Sequence, residues 1–97
     1  MAEVLNETQV QQKATLVPEW SVEGKKLKRT LTFQDFIAAI DFVNKLVQPA
    51  EDAGHHPDIA ISYNKVTISL TTHDAGGLTE KDFALAQEIS NLTKVQA

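Results

Sequence analysis

The sequence predicts an α+β domain in which a four-stranded antiparallel sheet carries three helices on one face, in the order α-β-β-α-β-β-α. Three observations predict this fold. Two pairs of segments alternate apolar and polar residues, a short turn signal lies within each pair, and the segments around them carry apolar residues at helical spacing. Because 97 residues suffice for one domain and not for two, residues 1–97 are expected to form a single domain.

The composition narrows the classes of function. The chain has no cysteine, which excludes a disulfide framework, a cysteine-ligated metal site and thiol chemistry. Its net charge of -4 argues against direct contact with nucleic acid, because such binders carry a basic excess. The first residues, MAEVLNETQV, contain neither a basic start nor an apolar run. We therefore expect no signal peptide and no membrane anchor, and a cytoplasmic protein.

The first helix and the first hairpin occupy residues 6–33. Asn6 followed by Gln9 predicts a helix start, and the helix must end before Pro18. A hairpin then turns at Gly24. Trp20 lies just before its first strand, and apolar residues recur at a spacing of two in the second strand.

A long helix is predicted next, with Thr32 and Asp35 at its start. Apolar residues at helical spacing form a wide stripe along it: Phe36, Ile37, Ile40, Phe42, Val43, Leu46 and Val47. Such a stripe fits either a helix deep in the core or a helix that packs on the sheet and also on a second subunit. Pro49 predicts a kink or a restart, and Gly54 predicts the helix end.

The second hairpin is the most informative segment. Two sets of apolar residues alternate with polar ones on either side of a predicted turn at Asn64–Lys65: Ile59, Ile61 and Tyr63, then Val66, Ile68 and Leu70. This turn pairs Tyr63 with Val66. Carried outward, the same register places His56 opposite His73, with His55 one position outside. All three histidines of the chain are thus predicted to converge at one end of the hairpin.

The last elements are a glycine-containing loop over residues 74–77 and a final helix. Thr79 and Asp82 predict the start of that helix, because a hydroxyl residue followed three positions later by a carboxylate residue is typical of helix N-termini.

Histidine clusters of this kind fit two chemistries. Imidazole, with a reference pKa of about 6.5, exchanges protons near neutral pH, so two imidazoles across a pocket can serve as proton donor and proton acceptor. Three histidines with an open fourth position can also bind zinc, and nothing in the spacing excludes this. A Ser-His-Asp arrangement fits less well, since no glycine-rich nucleophile elbow is present.

The sequence also resembles the pterin-4a-carbinolamine dehydratase family. The resemblance rests on Glu51, on His55-His56-Pro57 after three intervening residues, and on Tyr63, His73 and Asp82. The segment that begins at His55, HHPDIAISYNKVTISLTTHDAGGLTEKDFALA, is similar to the family over most of its length. Trp20 and the LTFQDF segment at the long helix match as well. The resemblance covers roughly residues 16 to 92. The first helix, the last residues and Pro49 match the family poorly.

This resemblance implies a hydro-lyase that removes water from a 4a-hydroxytetrahydropterin to give the quinonoid dihydropterin, in tetrahydropterin recycling, without a metal or other cofactor. It implies that His55 and His73 transfer protons and that His56 positions the pterin. Further residues are expected to line the pterin site, namely Pro57, Thr72, His73, Asp74 and Ala75, with Trp20 as its apolar wall. Glu51 is expected either to hold a histidine in its useful tautomer or to be a solvated carboxylate. Asp82 is assigned mainly to the helix start.

The family also implies a homodimer or homotetramer, assembled partly through the long helix, with Phe42 and Leu46 as candidate contacts. Two alternative functions stay open. Some members of the family are also dimerisation partners of a transcription regulator, and a metal-dependent hydrolase can be built on the same three histidines.

Overall fold

The computed structural model of the chain describes the backbone of residues 3–96 and the side chains of residues 3–93. Its elements are α1 (Glu7–Ala14), β1 (Ser21–Glu23), β2 (Lys26–Thr32), α2 (Phe36–Lys45), α3 (Val47–Ala53), β3 (Asp58–Ser62), β4 (Lys65–Leu70), a 3-10 helix (His73–Ala75) and α4 (Glu80–Gln96). This order confirms the predicted α+β fold, with the long helix present as the pair α2 and α3.

The four strands form one open antiparallel sheet in the order β1-β2-β4-β3. In β4, Val66, Ile68 and Leu70 are fully buried, whereas the residues between them are half-buried. This alternation is typical of a sheet whose one face packs on helices. Phe42 of α2 and Ile89 of α4 belong to the core on that face.

Capping side chains define where the first two helices begin. Asn6 and Gln9 form a reciprocal capping box, which confirms the predicted start of α1. The N-cap of α2 is Asp35, whose carboxylate accepts the backbone N–H of Ala38 at 2.8 Å. Thr32 does not contribute to this cap. It is the last residue of β2, and its pairing with β4 keeps it in the sheet.

The long helix is interrupted at Leu46 and restarts as α3, as Pro49 predicted. Pro49 is the third residue of α3, where an N–H group would have no acceptor within the helix, so the proline is tolerated. The proposed intersubunit contacts were wrong in detail. Phe42 and Leu46 are only 1% and 2% exposed because they pack into the core of their own chain.

The register of the second hairpin also differs from the prediction. Ser62 pairs with Lys65, so Tyr63 and Asn64 form the turn, with Tyr63 at a φ of 54°. The cause lies directly after β2, because Phe33 donates its N–H to the carbonyl of Asn64 and accepts a hydrogen bond from the Asn64 amide. These bonds hold Asn64 outside the strand.

This shift changes which residues face one another at the far end of the hairpin. Ile59 pairs with Ile68, and the same register extended outward brings His56 opposite Thr71 and His55 opposite Thr72. The prediction that His56 lies directly opposite His73 was therefore wrong. His55 and His56 still precede β3 while His73 follows β4, so the antiparallel topology keeps all three histidines at one end of the hairpin.

Candidate active site

The end of helix α3 fixes the backbone of His55. Gly54 adopts a left-handed conformation with a φ of 60°, which glycine reaches without the steric penalty of a Cβ atom. The N–H of Gly54 bonds to the carbonyl of Glu51, and the N–H of His55 bonds to that of Ala50 at 3.1 Å. This is the pattern of a Schellman motif, so the predicted helix end at Gly54 is confirmed. The backbone of His55 is therefore held against the last turn of α3 by a hydrogen bond.

The side chain of His55 is anchored by a buried carboxylate. Its Nε2 lies 2.6 Å from Oδ1 of Asp82, with 10% of the His55 side chain and none of the Asp82 side chain exposed. Asp82 is the third residue of α4, and its Oδ2 accepts the backbone N–H of Thr79 at 2.9 Å. The predicted start of α4 is therefore confirmed, and the same carboxylate serves both the helix start and the histidine.

Asp82 accepts one more hydrogen bond, from the hydroxyl of Thr72 to Oδ2 at 2.8 Å. Thr72 is also 2.8 Å from the hydroxyl of Thr79, and both threonines are buried. Three donors thus converge on one carboxylate that has no contact with solvent. In all three hydrogen bonds the carboxylate oxygens of Asp82 act as acceptors.

This acceptor determines how the proton on His55 is placed. Because Asp82 receives the hydrogen bond, Nε2 of His55 carries a hydrogen, and in the neutral ring Nδ1 is left as the free acceptor. Nδ1 makes no hydrogen bond within the described residues, yet every fully buried side-chain nitrogen or oxygen among them has a partner. Nδ1 is therefore not fully buried and is accessible from outside.

The other two histidines are more exposed. His56 lies 2.6 Å from Oε2 of Glu51 through its Nε2, and about two thirds of each side chain is exposed. Glu51 thus contacts a histidine, as one of its two predicted roles requires. His56 and Pro57 border a cleft of about 250 Å³ between helices α2–α3 and strand β3, together with Val47 and Ile59.

His73 begins the 3-10 helix, which also contains the exposed Asp74 and the half-buried Ala75. Gly76, with a φ of 77°, ends this helix, and Thr72 is bridged to Gly77 across it. The bridge brings the two ends of the loop, Thr72 and Gly77, together. Since the Thr72 hydroxyl is bonded to Asp82, His73 is adjacent in sequence to a residue that shares an acceptor with His55.

Trp20 lies in the hydrophobic core and not among the residues that hold His55. It is 5% exposed, and its indole N–H donates to the hydroxyl of Ser90 at 3.0 Å. Ser90 follows Asp82 on α4 by eight residues, a distance of about 12 Å along the helix axis. These contacts place Trp20 in the core, apart from the hydrogen bonds that hold His55.

No three His, Asp or Glu side chains within the described residues are grouped so that they could hold a metal ion. Among residues 3–96, no helix has both the length and the apolar composition that a membrane span requires.

Sequence reasoning found the histidines but missed the partner of His55. It named both Glu51 and Asp82 as supporting residues, but it assigned Asp82 mainly to the helix start and suggested only Glu51 as the group that holds a histidine. The capping signal Thr79–Asp82 was visible, but a cap uses a single oxygen of the carboxylate. No local signal connects Asp82 with a residue 27 positions earlier, so only the packing of α4 beside the end of α3 shows the contact.

The chain is similar to known proteins both in sequence and in fold. The family model described as Pterin 4 alpha carbinolamine dehydratase matches residues 3–92. A protein from Cyanothece sp., named provisionally as a pterin-4-alpha-carbinolamine dehydratase, is 63% identical over 98% of this chain and 98% of its own length. A protein from Nostoc punctiforme with the same provisional name is 62% identical over 95% of this chain and 99% of its own.

Solved structures share the fold. The crystal structure of a transcriptional coactivator/pterin dehydratase from Brucella melitensis has a TM-score of 0.87 and 29% identity, covering 93% of this chain and 98% of that one. A pterin dehydratase-like protein identified as a RuBisCO assembly factor in the alpha-carboxysome has a TM-score of 0.64 and 26% identity, covering 76% and 88%. The match of the family model to nearly the whole chain shows that this protein belongs to the pterin-4-alpha-carbinolamine dehydratase family.

Proposed function

We propose that the protein is a hydro-lyase that dehydrates 4a-hydroxytetrahydropterin to the quinonoid dihydropterin by histidine general acid–base catalysis, in the recycling of tetrahydropterin. One observation carries the histidine assignment. His55 is oriented by the buried carboxylate of Asp82 so that its Nε2 is occupied and its Nδ1 is accessible, at the same hairpin end as His56 and His73.

The reaction needs two proton movements. The bond between C4a and the hydroxyl oxygen breaks, a proton is added to that oxygen so that it leaves as water, and the adjacent ring nitrogen N5 loses a proton as the C4a=N5 double bond forms. One group must donate a proton and another must accept one. Each transfer by a positioned side chain typically contributes about 10²–10⁴-fold to the rate.

We assign the proton transfers to His55 and His73 and the positioning of the pterin to His56. His55 has the fixed orientation that a proton-transfer group needs. His73 is exposed at the head of the 3-10 helix and has no partner among the described residues, so its ring is available to a substrate. His56 is held by Glu51 and lies beside Pro57 at the edge of the cleft. Its ring can therefore donate a hydrogen bond to the pterin or accept one from it.

We further propose that the chain assembles with copies of itself through the outer face of helices α2 and α3. Phe36 and Ile37 at the start of α2 and Val47 at the start of α3 are large apolar side chains that are 50%, 69% and 59% exposed. A homodimer or homotetramer would bury them.

The decisive experiment measures turnover of a synthetic pterin-4a-carbinolamine by the purified protein, after subtraction of the uncatalysed rate. We expect saturable catalysis that His55→Ala reduces strongly. The same assay with EDTA separates histidine catalysis from a metal-dependent reaction. A protein that binds no carbinolamine and leaves its rate of dehydration unchanged would contradict the proposed function.

A further inference from the structure

Two buried hydroxyl groups connect the start of α4 with the carboxylate of Asp82. The hydroxyl of Thr72 donates to Oδ2 of Asp82 at 2.8 Å, and the hydroxyls of Thr72 and Thr79 are 2.8 Å apart. The backbone N–H of Lys81 donates to the Thr79 hydroxyl oxygen at 3.2 Å. Thr79 and Asp82 are fully buried and Thr72 is 6% exposed, so this network is nearly closed to water.

Only one arrangement of hydrogens satisfies this network. A hydroxyl group has a single hydrogen to donate, and an ionised carboxylate can only accept. The hydrogen of Thr72 is therefore used on Asp82, which leaves Thr72 as the acceptor of the hydrogen of Thr79. The hydroxyl oxygen of Thr79 in turn accepts a hydrogen bond from the N–H of Lys81. The hydrogen bonds consequently run in one direction. They lead from the N–H of Lys81 to the Thr79 hydroxyl, then to the Thr72 hydroxyl, and end at the carboxylate of Asp82.

We propose that Thr79, acting through Thr72 and Asp82, is a positioning residue that fixes the tautomer of His55. This inference rests on the proposed function only for its effect on turnover. The hydroxyl of Thr72 and the N–H of Thr79 together hold Oδ2, so Oδ1 is directed at Nε2 of His55. With Asp82 held as an acceptor, the neutral His55 ring carries its hydrogen on Nε2.

The proposal changes the predicted role of Thr72. The sequence resemblance implied that Thr72 lines the pterin site, whereas its hydroxyl is already engaged with Thr79 and Asp82. A group that is 6% exposed and bonded at both ends acts on a substrate through its neighbours, not by direct contact. Thr79 otherwise has only the role of a helix cap, which requires the bond from Lys81 but not the bond to Thr72.

A pair of substitutions at each threonine separates these roles. Thr79→Val and Thr72→Val replace the hydroxyl by a methyl group of similar size, while Thr79→Ser and Thr72→Ser keep the hydroxyl. Asn6→Ala is the matched control, because it removes a side-chain cap of similar type from α1, outside the network. Thr72→Val provides the test even if Thr79→Val fails to fold, since the Thr72 side chain makes no cap bond.

The primary readout is the ¹⁵N NMR signature of the His55 ring in alkaline buffer, which reports the tautomer without any substrate. We expect only the Nε2–H tautomer in the wild-type protein and a measurable Nδ1–H population in both valine variants, larger for Thr72→Val. The serine variants and Asn6→Ala should keep the wild-type signature. In the turnover assay, the valine variants should lose about tenfold or more in kcat with little change in KM, since small misplacements of catalytic groups cost up to about 10² in rate.

The outcomes are distinguishable. Folded valine variants that keep the Nε2–H signature would overturn the proposal, as would an equal loss of kcat in Thr79→Val and Asn6→Ala. A tautomer change in the valine variants that the serine variants reverse supports it. If the wild-type protein has no dehydratase activity but shows this tautomer response, the proposed function fails while the positioning role of Thr79 stands.

Discussion

Replacing Asp82 by Asn changes the hydrogen-bond donors at the histidine site while it keeps the shape of the side chain. Asp82 is fully buried and accepts three hydrogen bonds, from His55, from the Thr72 hydroxyl and from the backbone N–H of Thr79. The amide of Asn has one oxygen acceptor and one NH₂ donor. Its oxygen fits best where two donors converge, beside Thr72 and Thr79, so the NH₂ group faces His55.

This orientation reverses the tautomer of His55. Nε2 must now accept a hydrogen bond, so the hydrogen of the neutral ring moves to Nδ1, the atom that is accessible from outside. His55 then presents the opposite tautomer to the substrate, which disrupts its part in the proton transfer. We expect kcat to fall by about 10²–10⁴-fold, the typical contribution of a general acid or base.

The effect on stability follows from the same three contacts. Hydrogen bonds to a charged acceptor contribute about 1.5–3 kcal/mol each and neutral ones about 0.5–1.5 kcal/mol, a difference of about 1 kcal/mol per bond. Three bonds to Asp82 thus give a loss of about 3 kcal/mol in the free energy of unfolding for Asp82→Asn. Urea denaturation measures this loss, and steady-state kinetics measures kcat and KM.

Asp52→Asn is the matched control for this experiment. Asp52 is an exposed carboxylate on α3 whose side chain accepts a hydrogen bond from Gln48, so the same chemical change there should leave kcat and stability nearly unchanged. A folded Asp82→Asn protein with wild-type kcat would refute the role of Asp82 in holding His55. A large loss of kcat in Asp52→Asn would show that the assay responds to charge and not to the site.

Three further predictions concern the histidines, metals and assembly. His55→Ala and His73→Ala should each lower kcat strongly while His56→Ala raises KM, and wild-type turnover in either of the first two variants would contradict the assigned roles. Activity should survive exhaustive treatment with EDTA, because a protonated carbinolamine hydroxyl leaves without a Lewis acid; loss of turnover that one stoichiometric metal restores would support the hydrolase alternative. Sedimentation equilibrium at micromolar concentration should show a dimer or larger assembly that Ile37→Lys weakens, since Ile37 is 69% exposed, whereas a stable wild-type monomer would rule out assembly.

The sequence by itself determined the features that depend on neighbours along the chain. The capping box of Asn6 and Gln9, the helix end at Gly54 and the restart near Pro49 were all predicted, because caps and breaks involve residues a few positions apart. Alternating apolar residues predicted the strands for the same reason. The convergence of the histidines at one hairpin end also followed, since it requires only that the two strands are antiparallel.

Tertiary structure decided the features that depend on distant segments. Phe33, which lies 31 positions before Asn64, fixes the hairpin turn through its hydrogen bonds to Asn64. The observed register therefore differs from the predicted one by two residues. The burial of Phe42 depends on how α2 lies over the sheet, which the width of an apolar stripe does not specify. Asp82 reaches His55 because α4 packs beside the end of α3. Local patterns determine which groups are available, whereas the packing of distant elements determines which of those groups meet.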